Sequence, residues 1–309
     1  MPVYTHPACL LHDTGPGHAE RPERLSTVLA ALRAAPLDLD WREAPRATRG
    51  QLLAAHSESL VATVLETSFG ERAPARIMLD PDTALSPESS EAALRAAGAA
   101  VAAVDAVMSG EHQTAFCAVR PPGHHATADT AMGFCLFNSV AVAAAHALAK
   151  HGLTRVSVID FDVHHGNGTQ AIFESDARVQ YLSSHQMPLY PDTGFADERG
   201  IGNIFNAPLP PGAGGTAFRD VWTAGLLPAI DAFKPQLLLV SAGFDAHWRD
   251  PLAQLQLEAE DFAWITRELL TLAGRHSQGR LVSMLEGGYN LQALGECSVA
   301  HVAALQARR

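Results

Sequence analysis

The stretch Val158–Gln170, VIDFDVHHGNGTQ, decides the fold. It starts as the tail of an apolar, β-branched run, RVSVID, and passes at once to Asp160, Asp162, His164 and His165, then to Asn167, near which a short helix can begin. An apolar run of strand length that ends in charge and gives way to helix is half of a β–α unit. Charge at the end of a buried strand is costly unless the residues are paired or hold something.

Working outward, the pattern repeats. Strand candidates TAFCAV, RVSVID, VQYLSS, QLLLVSAG and RLVSML end near Val119, Asp160, Ser184, Gly243 and Leu285. Helix candidates run from about Glu88 to Met108, Asn138 to His151, Ala217 to Phe233, Ala259 to Ala273 and Leu291 to Gln306. The alternation predicts an α/β fold, a parallel sheet covered by helices on both faces. No linker or internal repeat divides the 309 residues, so 1–309 reads as one domain.

Composition narrows the function. With 47% hydrophobic and 18% charged residues the chain can bury a sizeable core. A net charge of -11 without a basic stripe argues against direct nucleic-acid contact. Cys9, Cys117, Cys135 and Cys297 lack CxxC spacing, and MPVYTHPACLLHDTG lacks the basic and apolar regions of a leader, which predicts a cytoplasmic protein. The stretch AALRAAGAAVAAVDAVM is broken by Arg95 and Asp105 and predicts no membrane span.

In parallel sheets ligands bind beyond the carboxyl ends of the strands. The unusual residues fall there: RPPGHHA with His124 and His125, FDVHHGNG, FDAHWRDPL and EGGYN. Each has a bland reading. Asp162 can cap the helix near Asn167, EGGYN can be a glycine turn with a core tyrosine, and Asp250–Leu252 can be an ordinary turn. Four polar clusters at four strand ends exceed what turns and caps require.

Asp162 and His164, two apart on an extended segment, leave on one side, and Asp245 supplies a third ligand from a neighbouring loop. One imidazole and two carboxylates with an open position suit Zn²⁺ or Fe²⁺ as a hydrolytic centre. His124 and His125 are placed to move protons, with Asp160 and Asn167 as partners that set their tautomers. A carboxylate partner raises a histidine pKa more than an amide does, so the two should differ in basicity. Tyr289, among Gly287, Gly288 and Asn290, can donate to a developing oxyanion. The set describes a metallo-amidohydrolase.

The motifs RPPGHHA...GFCLFN, DFDVHHGNGTQ, SAGFDAHWRDPL and EGGYN, in this order, resemble the histone deacetylase and acetylpolyamine amidohydrolase superfamily, particularly its class II and bacterial members. The resemblance runs from HDTGPGHAERPERL through LDPDTALSPES to the terminal helix. It implies an arginase-like α/β fold around an eight-stranded parallel sheet. It also implies Asp162, His164 and Asp245 as metal ligands, His124 and His125 as tandem catalytic histidines, and Tyr289 as the carbonyl-polarising tyrosine. Asp160 matches the partner of the first histidine and Asn167 the class II partner of the second. Asp82 matches a rim aspartate, while Gly133, Phe134 and Tyr190 match tunnel walls, Tyr190 standing where phenylalanine is common. A structural K⁺ is implied, held by Asp160 and Ser183 with nearby backbone carbonyls, the full set being Asp160, Asp162, His164, Ser183 and Ser184.

Two rivals are weaker. A two-manganese ureohydrolase of the arginase type expects carboxylates where Gly166 and His247 stand, and a degenerate acyl-binding module expects loss of a ligand or of the tyrosine. The reading is therefore removal of an acetyl or acyl group from acyl-lysine or a related acylated amine. Some polyamine-preferring relatives carry a gatekeeping glutamate where Leu252 stands, which favours acyl-lysine or a neutral acylated amine; the acidic chain with Asp82 keeps an acetylpolyamine open. The absence of an evident loop insertion favours a monomer.

Overall fold

A computed structural model describes residues 1–70 and 74–307. The chain opens with β1 (Pro2–Thr5), α1 (Pro22–Ala34), β2 (Asp40–Glu43), the single turn α2 (Arg49–Leu52) and α3 (Glu58–Glu66). A small antiparallel pair, β3 (Ile77–Met78) and β4 (Ala84–Leu85), precedes α4 (Ser89–Met108). There follow β5 (Thr114–Cys117), α5 (Ser139–His151), β6 (Val156–Asp160), α6 (Asn167–Phe173), β7 (Val179–Gln186) and β8 (Ile204–Leu209). The chain closes with α7 (Gly215–Val221), α8 (Leu227–Phe233), β9 (Leu237–Ala242), α9 (Ala259–His276), β10 (Leu281–Leu285) and α10 (Leu291–Gln306).

Eight strands form one parallel sheet in the order β2-β1-β5-β10-β9-β6-β7-β8. Every residue of β6, β7, β9 and β10 is buried, which explains why β9 and β10 read as near-continuous apolar runs, whereas β7, VQYLSSHQ, carries polar side chains into the interior. The expected eight-stranded α/β sheet is thus present. All five strand candidates are found, and β1, β2 and β8 complete the sheet. The edge strand β8 carries Pro208, tolerable where one side has no partner to receive an N–H.

The helix expected from Ala217 to Phe233 is interrupted. A π-helical turn, Trp222–Leu226, joins α7 to α8 just before Pro228, whose missing N–H cannot serve the α-ladder. Trp222 is fully buried there, its indole N–H donating to Ser184 Oγ at 3.0 Å. No helix of the described residues is long and apolar enough to cross a membrane.

The order of the central strands positions the site. Strands β5, β10, β9 and β6 are successive neighbours, so the four loops with unusual residues open side by side at one edge of the sheet. Asn138 caps α5, accepting from Ala141 N at 3.0 Å, while its amide donates to Ala126 O at 3.1 Å and Thr169 Oγ1 at 3.0 Å. One side chain thereby ties the loop after β5 to α5 and α6.

Candidate metal centre and acyl pocket

Asp162, His164 and Asp245 converge, their three ligating atoms lying within 4.8 Å of one another in a buried place. His164 Nδ1 is 3.1 Å from both Asp162 Oδ1 and Asp245 Oδ2. The remaining carboxylate oxygens accept backbone donors, Asp162 Oδ2 from Gly287 N at 2.8 Å and Asp245 Oδ1 from Val163 N at 2.9 Å. Two glycines permit this closeness, because a Cβ at Gly243 would overlap Asp162 and one at Gly287 would overlap Asp245. One expectation needs correction. Strand β6 ends at Asp160, so Asp162 and His164 meet through a bend rather than along an extended segment. The bland reading of Asp162 as a cap fails, since α6 begins after Gly166 without a side-chain cap.

The donor set fits a cation. Two carboxylates and one imidazole are an N/O set for Zn²⁺ or Fe²⁺. Burial first, and then the Asp162 charge, push Asp245 up to about 7, while His124 and His164 hold Asp162 well below the usual carboxylate range. Carboxylates crowded in a dry site repel one another, and a bound cation removes that cost.

Above the cradle lie the paired histidines, their ring centroids 4.0 Å apart. His124 Nδ1 is 2.9 Å from Asp160 Oδ2, and His125 Nδ1 is 2.8 Å from Asn167 Oδ1. Burial acts to lower His124, but Asp160 and Asp162 outweigh it and raise it to about 10. His125 is driven well below its ordinary value by burial and by the neighbouring His124 and His164. The two histidines thus differ in the expected direction. Burial raises Asp160 as well. Asp160 also accepts from Tyr181 Oη and Asp162 N, both at 3.1 Å, and these donors favour carboxylate beside imidazolium.

A cavity of about 220 Å³ opens onto this group. Its walls include His125, His164 and Tyr289, together with every tunnel and rim residue expected from sequence: Asp82, Gly133, Phe134, Tyr190 and Leu252. Leu189 joins them unexpectedly. Tyr190 stands with its ring 5.2 Å from His125 in an edge contact, and Phe134 meets Tyr289 at 5.9 Å. A second cleft, of about 280 Å³, lies beside α8 and α9, bordered by Asp231, Glu268 and Arg275, none of which lines the first cavity.

Of the residues expected around K⁺, Asp160 and Ser183 are register neighbours across β6 and β7. Ser183 Oγ lies 2.8 Å from His185 Nδ1. Ser184 faces the other side of the sheet, where its hydroxyl is occupied by Trp222, leaving only its carbonyl for such an ion.

Three supports were not flagged by sequence. Glu286, inside a recognised motif but given no role, accepts from Gly123 N at 2.6 Å, His124 N at 3.2 Å and Ser241 Oγ at 3.0 Å. Arg24 packs its guanidinium 4.8 Å from the Tyr289 ring centroid and donates to Gly288 O at 2.6 Å. Asp250, read as an ordinary turn residue, accepts from Leu252 N at 3.0 Å and from Tyr289 N at 2.7 Å. Position after a strand was a usable signal for Glu286. Arg24 also lies inside a recognised stretch, HDTGPGHAERPERL, but nothing local to it shows that its guanidinium is buried against Tyr289.

Residues 18–305 match the family model described as the histone deacetylase domain. The chain is 39% identical over 325 residues to the histone deacetylase-like amidohydrolase of Pseudomonas aeruginosa, covering 97% of this chain and 84% of that one. It is 40% identical over 304 residues to the human polyamine deacetylase HDAC10, covering 93% of this chain and 44% of that one. The crystal structure of the HDA15 HD domain superposes with a TM-score of 0.92 at 35% identity, over 99% of this chain and 88% of that one. With sequence, fold and the order of the strand-end motifs in agreement, the chain belongs to the histone deacetylase family.

Proposed function

We propose that the chain is a metal-dependent amidohydrolase that removes acetyl or other acyl groups from acyl-lysine or a related acylated amine, releasing a carboxylate and a free amine. The observation that carries this reading is the convergence of the Asp162–His164–Asp245 cradle, His125 and Tyr289 on one cavity. A Zn²⁺ or Fe²⁺ ion held by Asp162, His164 and Asp245 would act as a Lewis acid, acidifying water and polarising the acyl carbonyl.

The protein's own residues do the rest. With Asn167 Oδ1 accepting the Nδ1 proton, His125 presents Nε2 as a lone pair at the cavity, the form required of a general base. Having taken a proton from water, Nε2 can deliver it to the departing amine. His124 stays charged beside Asp160 and supplies fixed positive charge near the developing oxyanion. Tyr289 Oη donates to that oxyanion; burial raises its pKa well above the ordinary value, so it remains a donor. Phe134 and Tyr190 hold the acyl arm and limit water. Asp82, half-buried at the rim, is placed to accept a substrate N–H.

Leu252 gives the rim an apolar wall and favours acyl-lysine. The acetylpolyamine reading is supported by the carboxylates of Asp80 and Asp82, which share one turn through Asp82 N donating to Asp80 Oδ1 at 2.9 Å. A structural K⁺ at Asp160 and Ser183, a single catalytic domain over 1–309, a monomer and a cytoplasmic setting belong to the same reading; four buried free cysteines suit the last. The test is kcat/KM of the Zn²⁺-loaded protein on an acetyl-lysine peptide and on N-acetylputrescine, side by side. Peptide preference supports the reading, putrescine preference replaces the substrate, and inactivity on both sinks it.

A further inference from the structure

Among the described residues one other group of histidines and carboxylates converges closely enough to hold an ion, and it lies on the helices rather than at the strand ends. Asp105 of α4 faces His146 and His151 of α5. His146 Nε2 is 2.8 Å and His151 Nε2 2.7 Å from the same oxygen, Asp105 Oδ1, and all three ligating atoms fall within 4.8 Å of one another. The side chains grade from buried to open, 9% exposed for His146, 22% for His151 and 50% for Asp105, so water reaches one side of the cluster.

Hydrogen bonding alone leaves this arrangement half used. Neither Nδ1 atom nor Asp105 Oδ2 has a hydrogen-bond partner among the described residues. Both rings can carry their proton on Nδ1 and present Nε2 as a lone pair without losing another contact. Tetrahedral ligands at about 2.0–2.1 Å from a metal stand roughly 3.3 Å apart, so the cluster need open by only about 0.5 Å. The half-exposed Asp105 carboxylate can supply that movement by rotating. Imidazole ligands favour borderline transition metals over Ca²⁺ or Mg²⁺, and the -11 net charge attracts cations in general.

We propose that Asp105, His146 and His151 form a second, water-accessible site for a divalent transition-metal ion such as Zn²⁺, clamping α4 to α5. It is separate from the cradle: His146 lies about 12 Å and His151 about 20 Å along α5 from Asn138, the cap that touches the catalytic loop.

The experiment is calorimetric titration of the chelator-treated full chain with Zn²⁺, with native mass spectrometry to count bound ions. Two equivalents are expected in the wild type. H146Q/H151Q should lose the weaker one and keep turnover on the acyl substrate, whereas Asp245→Asn should lose the tighter one and keep the weaker. Asp105→Asn, nearly isosteric and at an open position, repeats the test should the double variant fold poorly. One equivalent in the wild type overturns the proposal, as does a second equivalent that survives both H146Q/H151Q and Asp105→Asn. Because the cradle is intact in those variants, failure here leaves the deacylase reading standing, and failure of that reading leaves this stoichiometry measurable.

Discussion

Two buried charged clusters flank Tyr289, and they are balanced in opposite ways. Beneath its ring, Glu20 lies between Arg24 at 3.1 Å and Arg120, whose Nη2 is 2.6 Å from Glu20 Oε2. The guanidiniums spend their remaining donors on carbonyls, Arg24 on Gly288 and Glu286, Arg120 on Cys9 and His12. On the other side Asp160, Asp162 and Asp245 crowd together with His124 and His164. The first cluster sets two guanidiniums against one carboxylate, and carbonyls of the chain take up what that carboxylate leaves over. The second keeps carboxylates whose mutual repulsion the chain does not cancel, and that is the difference between a scaffold and a site that takes a cation.

The largest break in this contrast should come from Asp245→Asn. Removing a cradle carboxylate should abolish tight metal binding and lower kcat/KM by more than the two to three orders of magnitude typical of losing one oxyanion donor. Metal analysis alongside turnover decides it, and an active, metal-loaded variant would remove Asp245 from the ligand set. Tyr289→Phe should follow, with kcat down by roughly 10² to 10³ and metal content unchanged. Loss of metal in this variant would mean that the tyrosine supports the cradle instead.

In the first cluster, Glu20→Gln leaves two buried guanidiniums without their counter-charge and should cost about 3–5 kcal/mol of stability. A denaturation midpoint that barely moves would show that water already compensates the arginines.

Acid should also reach the scaffold. Burial lowers His12, beside Glu20, from 6.5 to about 4, and His301, between Thr266 and Ser283, from 6.5 to about 3. Both are neutral when folded, so the unfolded chain takes up protons first as pH drops. Their contribution is intact above about 6.5 and lost on descending toward about 4 and about 3. Melting temperature against pH for His301→Gln should show a shallower acid slope than the wild type. The smallest effect expected is at the rim, where Leu252→Glu should shift the N-acetylputrescine to peptide ratio about tenfold, equivalent to ~1.4 kcal/mol. An unchanged ratio would mean that this wall does not face the distal part of the substrate.

Much of this was legible from residue order because a buried parallel strand writes itself as an unbroken apolar run and its polar end marks the functional edge. QLLLVSAG is such a run and RVSVID nearly one, and the loops that follow them carry Asp162, His164 and Asp245, the candidate metal ligands. Neighbour relations were less accessible. Nothing in the chain order says that β10 sits between β5 and β9, and that placement lets Glu286 reach the His124 loop. β8 escaped notice because Asn206 and Pro208 interrupt its apolar pattern. Arg24 and Arg120 look like solvated charges in sequence, since burial of an arginine depends on partners 264 residues away in one case and 100 in the other. The local geometry of Asp162 and His164 was read as extended because spacing by two suits both a strand and a bend.

Glu286 has one further consequence. Its carboxylate takes donors from Gly123, His124 and Ser241, and its own carbonyl receives Arg24 at 2.5 Å. Loops that would otherwise wander independently are locked into a single body when the chain folds. The entropy of bringing histidine, tyrosine and ligand loops into register is therefore spent before any acylated amine arrives, and binding energy remains free to act on the reacting carbonyl.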